Sequence, residues 1–221
     1  MPFDVVAFDL DGTLADTADD LAAALNHALV GMRRPALALA EVRMMVGHGT
    51  RALMRKGLAA TGAVSEALID ESLPSLTKFY AANICRATAG YPGVEDALDR
   101  LAASETRLAI CTNKPEQLAR MLVAALGWED RFAAIVGGDT LAVAKPDAAP
   151  LHEAIARAGG GRAAYVGDSI TDADTARAAQ IPFIAVSFGF LDRPVRELGA
   201  AAVIDHYDEL SAALASLGAV T

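Results

Sequence analysis

Residues 3–17 read FDVVAFDLDGTLADT. The run from Phe3 to Phe8 is apolar at nearly every position, as in a strand buried on both faces at the centre of a parallel sheet. It delivers two carboxylates, Asp9 and Asp11, followed at once by Gly12 and Thr13. The carboxyl end of such a strand is where open α/β sheets bind ligands. Alternation along an extended chain puts Asp9 and Asp11 on one side and Leu10 on the other. Two close carboxylates repel, so the pair is stable with a cation nearby or with one proton bound. Both conditions suit phosphoryl transfer, with Asp9 attacking phosphorus, Mg²⁺ neutralising the oxygens and Asp11 protonating the leaving alkoxide. A turn-capping role accounts for one such aspartate. It does not account for Asp9, Asp11, Gly12 and Thr13 together.

FDLDGTL resembles the first signature of the haloacid dehalogenase superfamily, on the side of its aspartyl-phosphate phosphatases. Dehalogenases in that superfamily typically lack the second aspartate, because carbon–halogen cleavage needs no acid for an alkoxide. The resemblance, with Asp11 present, therefore implies a phosphate ester as substrate.

Composition narrows the function classes. A chain of 221 residues with 53% hydrophobic content can bury a substantial core. A formal charge of −9 argues against a nucleic acid as partner, which needs a basic face. No apolar run reaches membrane-spanning length and no basic segment precedes the first one, so a cytoplasmic protein without a membrane partner is expected. Cys85 and Cys111 lack metal-ligand spacing and are read as thiols without a catalytic role.

From Thr17 the pattern becomes helical. Leu21, Leu25, Leu29 and Met32 share one face, and Thr17 to Asp20 has the form of a capping box. Pro35 closes this helix, and a short piece carries Val42, Met45 and Val46. Gly47, His48 and Gly49 then open another helix through Leu53, Met54 and Leu58. A long stripe from Ser65 through Ile69, Leu76 and Tyr80 contains Pro74, where a kink is expected. Residues 15–85 thus read as an all-helical insertion. The family resemblance makes that insertion a cap over a Rossmann-like core formed by residues 1–14 and 86–221.

After Tyr91-Pro92-Gly93 strands and helices alternate, the mark of a doubly wound α/β parallel sheet. Strands are expected at Leu108–Cys111, Ala134–Val136, Ala163–Val166 and Phe183–Val186, with an edge near Val203 and Ile204 and a final surface helix from Asp208. The remaining chemistry falls at the ends of these strands. CTNKP places Thr112 and Asn113 at a helix start, where hydroxyl, amide and free N–H groups suit a phosphate oxygen or serve as an ordinary cap. VAKPD holds Lys145 extended before Pro146. YVGDSITD again ends an apolar strand in acids, Asp168 and Asp172.

By resemblance, Thr112 is the second-motif phosphate ligand with Asn113 beside it, and Lys145 pairs with the nucleophilic carboxylate and a phosphate oxygen. Asp168 binds Mg²⁺ directly, with Asp172 close behind. Mg²⁺ prefers hard oxygen ligands of this kind. Four aspartates against one lysine and one divalent cation leave a single net negative charge, so a phosphate dianion is admitted only by the metal-loaded site. The expected ligand set is Asp9, Asp11, Asp168 and Asp172. Asp9, Asp11, Thr112 and Lys145 are expected to be catalytic, with Gly12, Thr13 and Asn113 on the substrate side.

Within the superfamily, TNKP, YPGV, VGGD, VGDSITD and SFGF are most similar to the phosphoglycolate phosphatases. This implies a small phosphorylated metabolite, 2-phosphoglycolate, as substrate. In the insertion, Gly47 and Gly49 allow close backbone approach to an anion, and His48 and Arg51 are candidate contacts to its carboxylate. The same constellation also serves pyrophosphatases, sugar-phosphate phosphatases and phosphomutases, and a non-catalytic binding protein on this fold is the rival from another class. Hydrolysis of an aryl phosphate with Mg²⁺ separates that last reading from the rest.

Overall fold

The computed structural model describes residues 1–219. In chain order the elements are β1 (Val5–Phe8), β2 (Ala15–Asp16), α1 (Ala18–Gly31), α2 (Leu39–Arg43), α3 (Thr50–Thr61) and α4 (Glu66–Ala82). There follow β3 (Ala89–Gly90), α5 (Val94–Ala103), β4 (Arg107–Cys111), α6 (Glu116–Ala125), β5 (Ala134–Val136), α7 (Ala149–Arg157), β6 (Ala163–Gly167), α8 (Ile170–Ala179), β7 (Phe183–Val186), β8 (Ala202–Ile204) and α9 (Leu210–Gly218). No helix among the described residues is long and apolar enough to cross a membrane.

Six strands form one parallel sheet in the order β5-β4-β1-β6-β7-β8. All four residues of β1 are buried, as its unbroken apolar run requires. Alternate residues feed two cores. Val6 and Phe8 face the side covered by α5, α6 and α9, and Val5 and Ala7 the side covered by α7 and α8. The α/β doubly wound expectation is met, with β8 at the edge where Val203 and Ile204 were placed. The last helix is more than a surface element, because Leu210 and Leu214 are buried in the first of these cores.

Register brings the strand ends to one level. Phe8 lies opposite Ile110 on β4 and Val166 on β6. Asp9, Thr112 and Asp168 therefore leave the sheet within about one residue of each other, at β1, where the strand order reverses.

Helices α1 to α4 build a third core, with Leu25, Leu29, Met54, Leu58, Ile69, Leu76 and Tyr80 buried together and Leu118 of α6 and Phe190 joining them. The chain enters this segment through β2 and leaves it through β3, and these two short strands pair antiparallel, Ala15 with Gly90 and Asp16 with Ala89. One local expectation changes. The capping box at Thr17 does not form, because the Thr17 hydroxyl donates to Asp11 at 2.8 Å. Asp20 is also engaged elsewhere, accepting from the backbone N–H groups of Arg86, Ala87 and Thr88 and from the Thr88 hydroxyl. α4 runs from Glu66 to Ala82 with Pro74 inside it, capped at its start by the Ser65 hydroxyl, which accepts from the Leu68 N–H.

Candidate active site

Asp9 emerges from β1 buried, with its N–H bonded to the Val166 carbonyl. Its Oδ1 lies 3.0 Å from Lys145 Nζ, yet it accepts no aligned hydrogen bond among the described residues. Lys145 Nζ also donates to Asp172 Oδ1 at 2.6 Å and to the Tyr165 hydroxyl at 2.9 Å. Burial opposes the lysine's charge, but Asp172 and Asp9 outweigh it and hold the ammonium above its ordinary range. Burial likewise pushes the Asp9 carboxyl up to about 7, against the pull of Lys145 and with help from Asp172 and Asp11.

Asp168 and Asp172 differ in how they are held. Asp168 Oδ1 accepts from the Thr13 hydroxyl at 3.0 Å and its Oδ2 from the Phe190 N–H at 2.6 Å. Burial, then Asp172 and Asp9, raise its pKa well above the carboxylate range. Asp172 is saturated with donors: its Oδ2 takes the Ser169 hydroxyl and N–H and the Asp168 N–H, closing a capping box at the start of α8. Burial works the other way, but Lys145 and the hydrogen bonds from Lys145, Ser169 and Tyr165 keep Asp172 below its ordinary pKa.

Asp11 turns to a different partner. Its Oδ1 accepts from Lys114 Nζ at 2.7 Å, and the same ammonium donates to the Tyr80 hydroxyl of α4 at 2.9 Å. Asp9, Asp168 and Asp172 offer carboxylate oxygens within 4.8 Å of one another, and Asp11 is not in that group. Of the four aspartates expected as ligands, the structure gathers three. One of those three, Asp172, has its oxygens occupied by protein donors.

The donor set fits a hard divalent cation. Burial and neighbouring carboxylates raise the pKa of Asp9 and Asp168, so charge on both is disfavoured without a counterion, and a cation removes that pressure. Four buried carboxylates face two ammonium groups, so one divalent ion brings the cluster to neutrality.

Other expected residues serve the frame. Gly12 has φ +86°, and a Cβ there would meet Asp168 Oδ2 at 2.3 Å, so only glycine allows the loop to lie against that carboxylate. Thr13 holds Asp168. Asn113 clasps the Lys145 backbone, Nδ2 to its carbonyl at 3.3 Å and Oδ1 from its N–H at 3.0 Å, before the cis Lys145–Pro146 bond. The Thr112 hydroxyl is buried and accepts from the Lys114 N–H. Cys111 is buried and its thiol pushed up to about 12 by that burial, which leaves it protonated.

The loop Gly47–Gly49 sits directly on the core. A Cβ on Gly49, at φ +84°, would come within 2.7 Å of the Asn113 carbonyl oxygen. His48 lies between the two sides, Nδ1 3.4 Å from Lys56 Nζ and Nε2 3.4 Å from the Thr171 hydroxyl. Burial, then Lys56, lowers its pKa. Arg51 is directed to solvent, paired with Glu66 at 2.7 Å and Asp70 at 2.6 Å.

Sequence reasoning passed over Lys114, Tyr80 and Tyr165. Lys114 carried a readable signal, because Lys114-Pro115 follows β4 much as Lys145-Pro146 follows β5. Each lysine meets one of the two leading aspartates. Tyr80 looked like one more apolar position on a helix stripe, and its hydroxyl partner lies 34 residues away.

The haloacid dehalogenase-like hydrolase family model matches residues 6–186. A phosphoglycolate phosphatase of Mesorhizobium japonicum is 46% identical over 214 residues, covering 96% of this chain and 94% of its own. One from Caulobacter vibrioides is 41% identical over 218 residues, covering 96% and 91%. A crystal structure described as a predicted phosphoglycolate phosphatase from Haemophilus somnus 129pt superposes with a TM-score of 0.90 at 25% identity, covering 96% and 98%.

Proposed function

The chain belongs to the haloacid dehalogenase-like hydrolases, and from that premise we propose a phosphatase that hydrolyses 2-phosphoglycolate through a phosphorylated Asp9. Relatives named phosphoglycolate phosphatase over nearly the whole chain support the substrate. The observation that carries the mechanism is Asp9 itself, a buried carboxylate 3.0 Å from Lys145 whose Oδ1 has no aligned hydrogen bond and so keeps its lone pair for attack.

Attack by Asp9 on phosphorus forms the new P–O bond as the ester oxygen departs with a proton from Asp11. Asp11, now a carboxylate, takes a proton from water, and the resulting hydroxide oxygen bonds to phosphorus while the Asp9 carboxylate leaves. Glycolate and inorganic phosphate are the products. Lys145 holds Asp9 in place and offers charge to a phosphoryl oxygen, and the Thr112 hydroxyl supplies a hydrogen bond. Asp172 fixes Lys145 in turn. Asp9 and Asp168 would hold Mg²⁺, which when bound supplies the positive charge that lets a phosphate dianion approach these carboxylates. In this reading residues 15–85 act as a cap that excludes water from the core formed by residues 1–14 and 86–221.

The test is a panel of phosphate esters assayed with Mg²⁺, in which 2-phosphoglycolate should lead pyrophosphate, hexose phosphates and nucleotides in kcat/KM. Asp9→Asn should abolish turnover with the fold intact, since uncatalysed monoester hydrolysis is slower by up to ~10²¹-fold. Acid-quenched enzyme should carry phosphate on Asp9. Substantial activity in pure Asp9→Asn protein would refute the covalent route, and a lead for pyrophosphate or a sugar phosphate would refute the substrate.

A further inference from the structure

Between the helical segment and the core lies a small cavity of about 20 Å³. Leu21, Val46 and Leu53 give it apolar walls, Gly47 and Thr50 bring backbone, and Asp11 and Lys114 are its charged side chains. Asp11 joins this space to the proposed phosphoryl site, so whatever is esterified to the phosphate would extend into it. We propose that Lys114 selects the leaving group, taking the carboxylate of a small hydroxy acid on its ammonium; this rests on the phosphomonoesterase reading above.

An ammonium has three N–H donors. Asp11 engages one at 2.7 Å and the Tyr80 hydroxyl a second at 2.9 Å, which leaves the third without an acceptor among the described residues. The side chain is 1% exposed and lines the cavity, so its charge is shielded from bulk water. In such a low-dielectric setting an unmatched donor is unfavourable, and a ligand that supplies an anion is strongly preferred over one that does not. α3 begins on the same wall at Thr50, and its N-cap, Gly49, has no side chain to meet the first N–H groups, so the backbone there adds to the positive field.

The two residues that the sequence nominated for this contact are engaged elsewhere. Arg51 reaches Glu66 and Asp70 at the surface, and His48 lies near Lys56 and Thr171. Lys114 therefore takes over the role given to them from spacing alone.

The experiment compares 2-phosphoglycolate with 2-hydroxyethyl phosphate, which has a similar two-carbon skeleton and no carboxylate, in wild type, Lys114→Met and Lys114→Arg. In wild type kcat/KM should favour the carboxylate strongly. In Lys114→Met that ratio should fall by ~10²-fold or more, the usual consequence of removing one partner of a buried charge pair. Lys114→Arg should restore part of it. An equal loss for both substrates in Lys114→Met would mean that Lys114 serves Asp11 alone, which overturns this inference and leaves the phosphatase reading standing. A wild-type enzyme that prefers 2-hydroxyethyl phosphate would overturn this inference and leave the phosphatase reading standing, whereas one that hydrolyses no phosphate ester, aryl phosphate included, would overturn both. Should Lys114→Met fail to fold, wild type alone decides: glycolate should inhibit aryl phosphate hydrolysis far below the concentration at which ethylene glycol does, and equal inhibition would reject the contact.

Discussion

Asp168 and Asp172 are the same side chain four residues apart, and their surroundings give them opposite energetics. Asp172 is held as a carboxylate by Lys145, Ser169 and Tyr165, whereas Asp168 sits among like charges with one donor on each oxygen. Replacing Asp172 with Asn should therefore destabilise the metal-free protein by about 3 kcal/mol, because it breaks a buried ion pair. Asp168→Asn should do the reverse, raising the metal-free melting temperature by relieving repulsion while weakening Mg²⁺ binding far more than Asp172→Asn does. Thermal unfolding in EDTA and calorimetric Mg²⁺ titration of both variants check this, and a loss of stability in Asp168→Asn would reject the assignment. Much of this residue scale was legible in the sequence, because strand-terminal acids have few structural explanations. What was not legible was the partner of Asp11, since Lys114 and Tyr80 meet it only through the tertiary fold.

Among the elements, the helices were readable from their apolar spacing and the strands from unbroken apolar runs. The caps were not. Thr17 and Asp20 had the form of a local capping pair, but both side chains serve distant partners, Asp11 and the backbone of residues 86–88. A local motif describes which bonds are available, and the fold decides which are made. Asp20 is buried and accepts three backbone N–H groups at the point where the chain returns from α4 toward β3. Asp20→Ala should cost about 2–4 kcal/mol, because buried N–H groups lose their acceptor. Amide exchange at Arg86, Ala87 and Thr88 should rise well beyond that of β1. Uniform exchange across the chain would show instead that the carboxylate acts only through global stability.

On the scale of the whole molecule, the buried carboxylates couple folding to pH. The folded state raises the Asp9 pKa to about 7, chiefly through burial, while an unfolded aspartate titrates near 4. Between those values the folded protein binds more protons than the unfolded one, so stability falls as pH rises through that window. Mg²⁺ binds the deprotonated cluster and should oppose the fall, adding about 2.7 kcal/mol at a hundred times its Kd. The melting temperature in EDTA should thus decline between about pH 4 and pH 7, and added Mg²⁺ should raise it more at pH 8 than at pH 5. Equal Mg²⁺ increments at both would place the cation elsewhere. The ribbon of β2 and β3 bears on the molecule's history and its engineering. Ala15 faces Gly90 across it, so the helical segment departs and rejoins at neighbouring residues. Topologically that segment is a graft, and another insert whose ends lie equally close could be spliced there without disturbing the strand order of the sheet, leaving Asp9, Lys145 and Lys114 together on the strand-bearing part while only the helical wall above them is exchanged.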